Sequence, residues 1–531
     1  MKNNNIPNTT PKDGLEGLKQ HFSSDLSSGF VIFLLALPLS LGIAKASEFP
    51  PIMGLVTAII GGIVVTFFTG SKLTIKGPAA GLIVIIAGAV TEFGGGEAGW
   101  RMTLGVLVVA GLLQILFGVL KLGKLVDFFP LSAVHGMLAA IGLIIIAKQI
   151  PVLLNVNPDL VSGKGPFALF AAIPTFIQNL DPKVAIIGLV SLVIMMGWPL
   201  VKNPNLRKIP APLLVLLFAI PTGVMMNLAG NAPAYTLVKV GNLADQIAYN
   251  VSFEGWSHIG IFIKYVVMVA LVGSLESLLT VKAIDMIDFY KRKSDTNKDL
   301  IAIGIGNTLA ALVGGIPMIS EVARSSANVH NGGVTRWSNF FHGAFLLVFA
   351  LLAYPLLEQI PNAALAAMLI AVGIKLTHPK EFIHTFKIGP EQLAIFTTTI
   401  FFTLFEDLLV GIGAGILLKI VIHVIRGVPF KSLFKASVVI KKEGNTHIVE
   451  LGNSAVFSNY LGLKKQLESI PHGQEVKIEM SRTFLVDHSV MESLHHFEKD
   501  YQSAGGMVHL VGLEALAPLS SHPLAARKRN H

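Results

Sequence analysis

Glu276 and Arg324 are ionisable residues set in sequence too apolar for water. Glu276 lies in the stretch Tyr265–Val281, which carries no other charge. Arg324 lies in Gly314–Gly333, between two apolar segments. An ionised group at membrane depth costs on the order of 3 kcal/mol on insertion scales, so it faces a partner or a polar cavity and marks an ion or substrate pathway. The competing reading is a purely structural ion pair between the two. Each also has an interrupted segment nearby in the chain or in the corresponding half: Thr74–Gly81 reads TIKGPAAG, and Gly314–Ser320 reads GGIPMIS. Paired Gly/Pro interruptions at matching positions point to a site near the bilayer midplane, although Gly and Pro are common in membrane helices generally.

The elements that must position these residues are membrane helices. The chain has 531 residues, of which 52% are hydrophobic and 14% charged, and its mean hydropathy is +0.66. Soluble domains carry about 25% charged residues. Its 51 Gly and 27 Pro suit closely packed or broken membrane helices. There is no cysteine, which excludes disulfides and thiolate metal sites. The net charge of +9 fits a bias of basic residues toward cytoplasmic loops better than nucleic-acid binding. The polar N-terminal 25 residues lack the apolar core and cleavage site of a signal peptide.

About 20 apolar residues cross the hydrocarbon core. Spans are expected to begin at Gly29, Pro51, Ala79, Met102, Pro130, Val184 and Ala211, then at Gly260, Leu300, Ser320, Asn339, Pro361, Gln392 and Asp407. With the N-terminus inside, the cytoplasmic loops hold Lys72 and Lys76, Lys121 and Lys124, and Lys202, Arg207 and Lys208. Further on they hold Lys282, Lys291, Arg292 and Lys293, then Arg336, then Lys375, Lys380 and Lys387. The opposite loops carry Glu48, Glu92, Glu97, Glu358 and Glu406. This satisfies the positive-inside rule and puts both termini in the cytoplasm. The spans divide seven and seven, so the halves enter with opposite orientation, as in inverted-repeat transporters. The expected organisation is a cytoplasmic segment over 1–27, a membrane domain over 28–428 with repeats at about 28–228 and 258–425, and a soluble α/β domain over 436–520. In that last domain, Ala436–Phe457 alternates like two strands with a turn at Gly444-Asn445, Ser458–Ile470 is an amphipathic helix, and Val476–Met480 is a buried strand. Ser489–Gly505 reads as a second helix and Met507–Leu513 as another strand.

Several motifs in this order resemble the SulP (sulfate permease) family, solute carrier family 26. They are Asp25–Ser47 with LPLSLGIAKA, Pro50-Pro51-Ile52-Met53-Gly54-Leu55, Thr69–Ala80 with its Gly77-Pro78, Ser274–Thr280 with Glu276, and Arg324-Ser325 with Asn328. The C-terminal segment Val486–Leu494 resembles the strand-to-helix turn of a STAS domain. The resemblance implies core and gate subdomains, elevator-type alternating access, a homodimer, and an anion held between the half-helix N-termini of spans three and ten. Carried onto this chain, the substrate site comprises Leu39, Ile43, Gly77, Pro78, Ala79, Ala80, Ala323, Arg324 and Ser325, with Glu276 and Thr280 as coupling residues. A helix N-terminus carries about half a positive charge and open N–H groups, so two that converge make an anion cradle. Leu39, Ala79 and Ala323 replace more polar or aromatic residues of relatives, which leaves recognition to backbone amides and Arg324.

The expected function is secondary transport of a small anion, sulfate- or bicarbonate-like, across the cell membrane, with no enzymatic activity, organic cofactor or resident metal. Moving an anion inward against a negative-inside potential opposes about 2.3 kcal/mol per charge per 100 mV. A proton carried on Glu276 would cancel one charge. Na⁺ held by Glu276 and Thr280 is the alternative, since carboxylate and hydroxyl oxygens suit a hard cation. The bicarbonate branch of the family lacks the span-ten arginine, so Arg324 favours protons or exchange. An anion channel, or a sensor in which the STAS domain relays occupancy to a cytoplasmic partner, belongs to another class. His135 reads as a core histidine rather than a proton relay, and Glu406-Asp407 as a solvated helix start. Ser489 reads as a helix N-cap preceded by Asp487 rather than a phosphorylation site. Lys419 and His423 are expected to reach toward the cytoplasmic interface.

Overall fold

The computed structural model describes residues 10–124, 130–203, 206, 209–241, 243–247, 250–503 and 505–529. Arg207 and Lys208, and the first nine residues of the N-terminal segment, lie outside the described residues. A helix stands at each of the fourteen expected positions. In chain order they are α1 (Gly14–Ala46), α2 (Ile52–Ile63), α3 (Ile83–Glu92), α4 (Gly96–Val119), α5 (Leu131–Leu153), α6 (Pro182–Gly197) and α7 (Ala211–Met225). Then come α8 (Ile259–Ile287), α9 (Thr296–Leu312), α10 (Val322–His330), α11 (Trp337–Leu352), α12 (Asn362–Leu376), α13 (Pro390–Phe405) and α14 (Leu408–Ile425). Among the described residues, 7 helical stretches are long and apolar enough to cross a membrane.

α3 and α10 are short for a physical reason. The chain ahead of each is extended, not helical: β1 (Lys76–Pro78) precedes α3 and β2 (Met318–Ser320) precedes α10. The two strands pair antiparallel, with Lys76 opposite Ser320, Gly77 opposite Ile319 and Pro78 opposite Met318. Pro78 has no N–H and pushes its predecessor out of helical geometry. Backbone bonds continue beyond the strands, from Ala79 N to Pro317 O at 3.1 Å and from Glu321 N to Ile75 O at 2.9 Å. The pairing thus starts two helices from a shared ladder.

By contact the chain divides into two compact units. One comprises Met1–Gly123 with Ile141–Lys375, the other Lys124–Ala140 with Leu376–His531. In the first unit, α4 packs on α9 and α8, and α1 packs on α2 and α11. Asp25 ties α1 to the segment before α11 by accepting from Val334 N at 2.7 Å and Thr335 N at 3.1 Å.

The second unit contains the α/β fold. β3 (Ser437–Glu443) and β4 (Thr446–Ala455) form the hairpin, followed by α15 (Tyr460–Leu467), β5 (Glu475–Glu479), β6 (Thr483–Val486), α16 (His488–Ser503) and β7 (Met507–Val511). β4 runs parallel to β5 and β6, and β5 parallel to β7. Val449, Val476, Ile478, Leu463 and Leu494 close its core. The sheet extends past residue 520, because Arg527-Lys528 pairs with Val486 and Leu485.

Four readings from sequence change here. Lys419 and His423 are buried rather than reaching toward the interface. The Lys419 ammonium lies 3.1 Å from Asp487 Oδ2 and donates to Ser489 Oγ at 2.7 Å, and His423 Nε2 lies 3.6 Å from Asp487 Oδ2. Asp487, not Ser489, caps α16, accepting from Val490 N at 2.8 Å and also from Phe457 N at 2.9 Å. Burial pushes the Asp487 carboxyl up, but Lys419, His423 and the two amides outweigh it and hold it below its usual range. Finally, the His135 side chain is 42% exposed and its Nδ1 lies 3.6 Å from Glu381 Oε2, so it is no core histidine.

Candidate functional site

β1 and β2 bring the first turns of α3 and α10 to one place. The first-turn amides of a helix have no partner within it. Those of Ala80 and Gly81, in the 3₁₀ turn that leads into α3, and of Val322, Ala323 and Arg324 in α10 are the donors these starts offer. Ala80 is partly exposed and Ala323 exposed, whereas Ala79, Gly77 and Pro78 are buried.

Arg324 is 1% exposed, a fully buried guanidinium. Its Nε lies 3.0 Å from Glu321 Oε2, and its Nη2 donates to Ser40 Oγ at 3.3 Å. Nη1 has no hydrogen-bond partner among the described residues. It passes over Gly77, where a Cβ would come within 2.5 Å of it. Glycine in the facing strand leaves the guanidinium room to lie there.

Glu276 is buried on α8; among the described residues it pairs with no cation and its Oε1 has no hydrogen-bond partner. Its carboxylate abuts the start of α3 so closely that a Cβ on Gly81 would collide with it. Glycine there lets backbone and carboxylate approach. Thr280 is buried one turn further along the same helix. The structural ion pair considered for Glu276 and Arg324 is thus not formed; Glu321 is the arginine's partner.

Of the remaining expected residues, Ile43 is buried and Leu39 partly buried on α1, which packs against β1 and α10. Ser325 is near but already engaged. Its hydroxyl accepts from Ile75 N at 2.9 Å and donates to Glu321 O at 2.5 Å, so it holds the strand crossing together.

The same crossing contains residues that sequence reasoning missed. Ser40 and Glu321 hold Arg324. Ser277 accepts from Ser320 N at 3.1 Å and so seats β2 on α8. Lys76, counted above as a cytoplasmic loop charge, is fully buried. Its ammonium donates to Asp299 Oδ1 at 2.7 Å and Oδ2 at 2.9 Å, Ser320 Oγ at 2.6 Å and Thr74 Oγ1 at 3.0 Å. Glu321 was visible in principle, as an acid three residues before an arginine at a helix start. Lys76 and Asp299 were not, since each borders a polar stretch.

Comparison with known proteins agrees with this architecture. The profile of the sulfate permease family matches residues 22–399. A putative sulfate transporter of Bacillus subtilis (strain 168), YvdB, is 28% identical over 77% of this chain and 74% of its own length. The bicarbonate transporter BicA of Picosynechococcus sp. is 27% identical over 77% of this chain and 72% of its own. Among solved structures, the transmembrane domain of a cyanobacterial bicarbonate transporter BicA superposes with a TM-score of 0.64 at 24% identity, covering 74% of this chain and 97% of that one. The overall structure of SLC26A9 superposes with a TM-score of 0.67 at 14% identity, covering 93% of this chain and 85% of that one. The fold is that of a polytopic helical membrane transporter.

Proposed function

The chain belongs to the sulfate permease family, and we propose that it is a secondary transporter of a small oxyanion, sulfate- or bicarbonate-like, coupled to protons or working by exchange. The observation that carries this reading is the buried Arg324, with Nη1 unpartnered, between two helix starts. Glu321 already meets the charge on one side, but a buried donor left without an acceptor is costly until a ligand oxygen meets it. The first-turn amides of α3 and α10 add oriented donors and positive dipole ends. Together they suit an anion with several oxygens, with Ala80 and Ala323 forming a small, uncharged wall. The names of two relatives, a sulfate and a bicarbonate transporter, fit that class of substrate.

Glu276 supports the coupling half of the proposal. A buried carboxylate without a cation beside it is poised to take a proton, and it touches the helix start that would bind the anion. Protonation there favours anion entry by removing a like charge, and anion release favours deprotonation. Motion of the crossing relative to the rest of the membrane domain would give alternating access. The protein would act as a multi-pass protein of the cell membrane with both termini cytoplasmic, as a homodimer.

The test is reconstitution into liposomes, with uptake of sulfate, bicarbonate, chloride and dicarboxylates measured with and without pH and Na⁺ gradients. Saturable, concentrative uptake driven by a pH gradient or by counter-anion supports the reading. Flux that never exceeds the electrochemical gradient would mean a channel. Uptake strictly dependent on Na⁺ would move Glu276 and Thr280 to a cation site.

A further inference from the structure

Lys76 and Asp299 lie on the same strand crossing as the proposed anion site but are absent from the proposed transport step. Their surroundings are unusual in being complete. The ammonium has four oxygen neighbours within 3.0 Å, from Asp299, Ser320 and Thr74. Asp299 in turn accepts from Thr69 Oγ1 at 2.6 Å and Ser320 Oγ at 3.2 Å. Every one of these side chains is buried. A set of carboxylate and hydroxyl oxygens closing on one positive charge is the donor set a hard monovalent cation takes. Here the charge arrives on a lysine stem.

The oxygens come from different parts of the chain. Thr69 and Thr74 lie before β1, Lys76 is in β1, Ser320 ends β2, and Asp299 is in the first turn of α9. The positive charge therefore joins both strands and α9 at one point. We propose that Lys76 is a positioning residue whose tethered ammonium stands in for a bound alkali cation, so that the seating of the two anion-binding helix starts does not depend on Na⁺. A tethered charge cannot dissociate, so changes in ion gradients leave the crossing intact. This deepens the transport reading, because it implies that any coupling ion acts at Glu276 and not here. It also implies that the cage, stripped of its ammonium, becomes a cation site.

The experiment uses the purified full-length protein in detergent, with thermal unfolding midpoints in NaCl and in choline chloride at equal ionic strength. Lys76→Ala should unfold earlier in choline, and Na⁺ should raise its midpoint by about 3 °C or more, saturably. Lys76→Ala/Asp299→Asn should lose that response. An Na⁺-insensitive Lys76→Ala that elutes as folded protein would overturn the proposal, as would recovery by acidification alone, which would mean that Asp299 simply takes a proton. If Lys76→Ala does not fold, the Glu276→Gln protein decides the question with Lys76 in place. Its midpoint should be the same in Na⁺ and choline. A rise with Na⁺ that Asp299→Asn abolishes would show that the native cage takes the ion itself, against the proposal. These readouts need no transport, so absent uptake would sink the transporter reading while leaving this one standing.

Discussion

Two charged clusters share one strand crossing, and they are built in opposite ways. At Lys76 and Asp299 the ammonium has four oxygen partners and the carboxylate accepts from two hydroxyls besides. At Arg324, Glu276 and Glu321, buried atoms of all three side chains lack a hydrogen-bond partner among the described residues: Oε1 of each glutamate and Nη1 of the arginine, whose Nε has only its ion contact with Glu321. Both clusters are removed from water, so desolvation alone does not distinguish them. Completion does. A saturated buried pair fixes geometry, whereas an unsaturated one holds free energy that a ligand or proton can release. The fixed point takes in Ser320 at the end of β2, and the binding point begins at the next residue, Glu321.

The largest expected effect comes from breaking the saturated side. Asp299→Asn leaves the Lys76 ammonium buried without its counter-charge, and removing one partner of a buried pair costs about 3–5 kcal/mol. The unfolding midpoint of the purified protein should fall by many degrees, and expression with it. A midpoint within a degree or two of the parent would mean that water reaches the pair. On the unsaturated side, Arg324→Ala should act first on the anion. Its midpoint should fall less than that of Asp299→Asn, since the guanidinium has one ion pair, one hydroxyl contact and an open nitrogen where the ammonium has four oxygen partners. Anion affinity should drop by the value of a charge-assisted contact, about 1.5–3 kcal/mol, which is at least tenfold. Isothermal titration of the folded variant with its best anion checks this, and an unchanged Kd would remove Arg324 from the site.

The contrast was only half legible in the sequence. Glu276 and Arg324 stood out because charge is rare in apolar runs, and the helix positions followed from the lengths of those runs. The Gly77-Pro78 and Pro317 interruptions announced where the helices would break, but not that the chain ahead of them pairs as two strands. Lys76 was read as a loop charge because a lysine next to Gly-Pro has no apolar flank on one side. Asp299 opens α9 after a polar segment and reads as an ordinary acidic first turn. What makes them a pair is a contact across 223 positions of sequence, and periodicity contains no information on contacts of that range. The same limit applied to Lys419, whose partners Asp487 and Ser489 are 68 and 70 residues further on, as the numbering itself gives (487 − 419 and 489 − 419).

Glu276→Gln sharpens the comparison within the unsaturated cluster. The amide keeps the shape against Gly81 but cannot carry a proton. Anion binding and exchange should survive with affinity altered less than tenfold, about 1.4 kcal/mol, while accumulation on a pH gradient is lost. Counterflow and gradient-driven uptake in the same liposomes separate the two. A variant that still concentrates anion on a pH gradient, without Na⁺ dependence, would leave Glu276 a packing residue.

The smallest effect on the anion should come from the α/β fold at the C-terminal end. Every residue assigned to the anion lies between Leu39 and Ser325, in the first compact unit, whereas the sheet and its helices belong to the second. That sheet closes its own core with Val449, Val476, Ile478 and Leu494. Cutting the chain near Ser432 also removes Asp487 and leaves Lys419 and His423 without the carboxylate that now compensates them. The cost should therefore appear at α14, as lower expression, a lower midpoint or slower transport. Anion titration of the purified truncated chain beside the full chain should give affinities within tenfold. A larger loss in a truncation that still elutes as folded protein would mean that the C-terminal fold shapes the crossing, and the division between a fixed point and a binding point would have to include it.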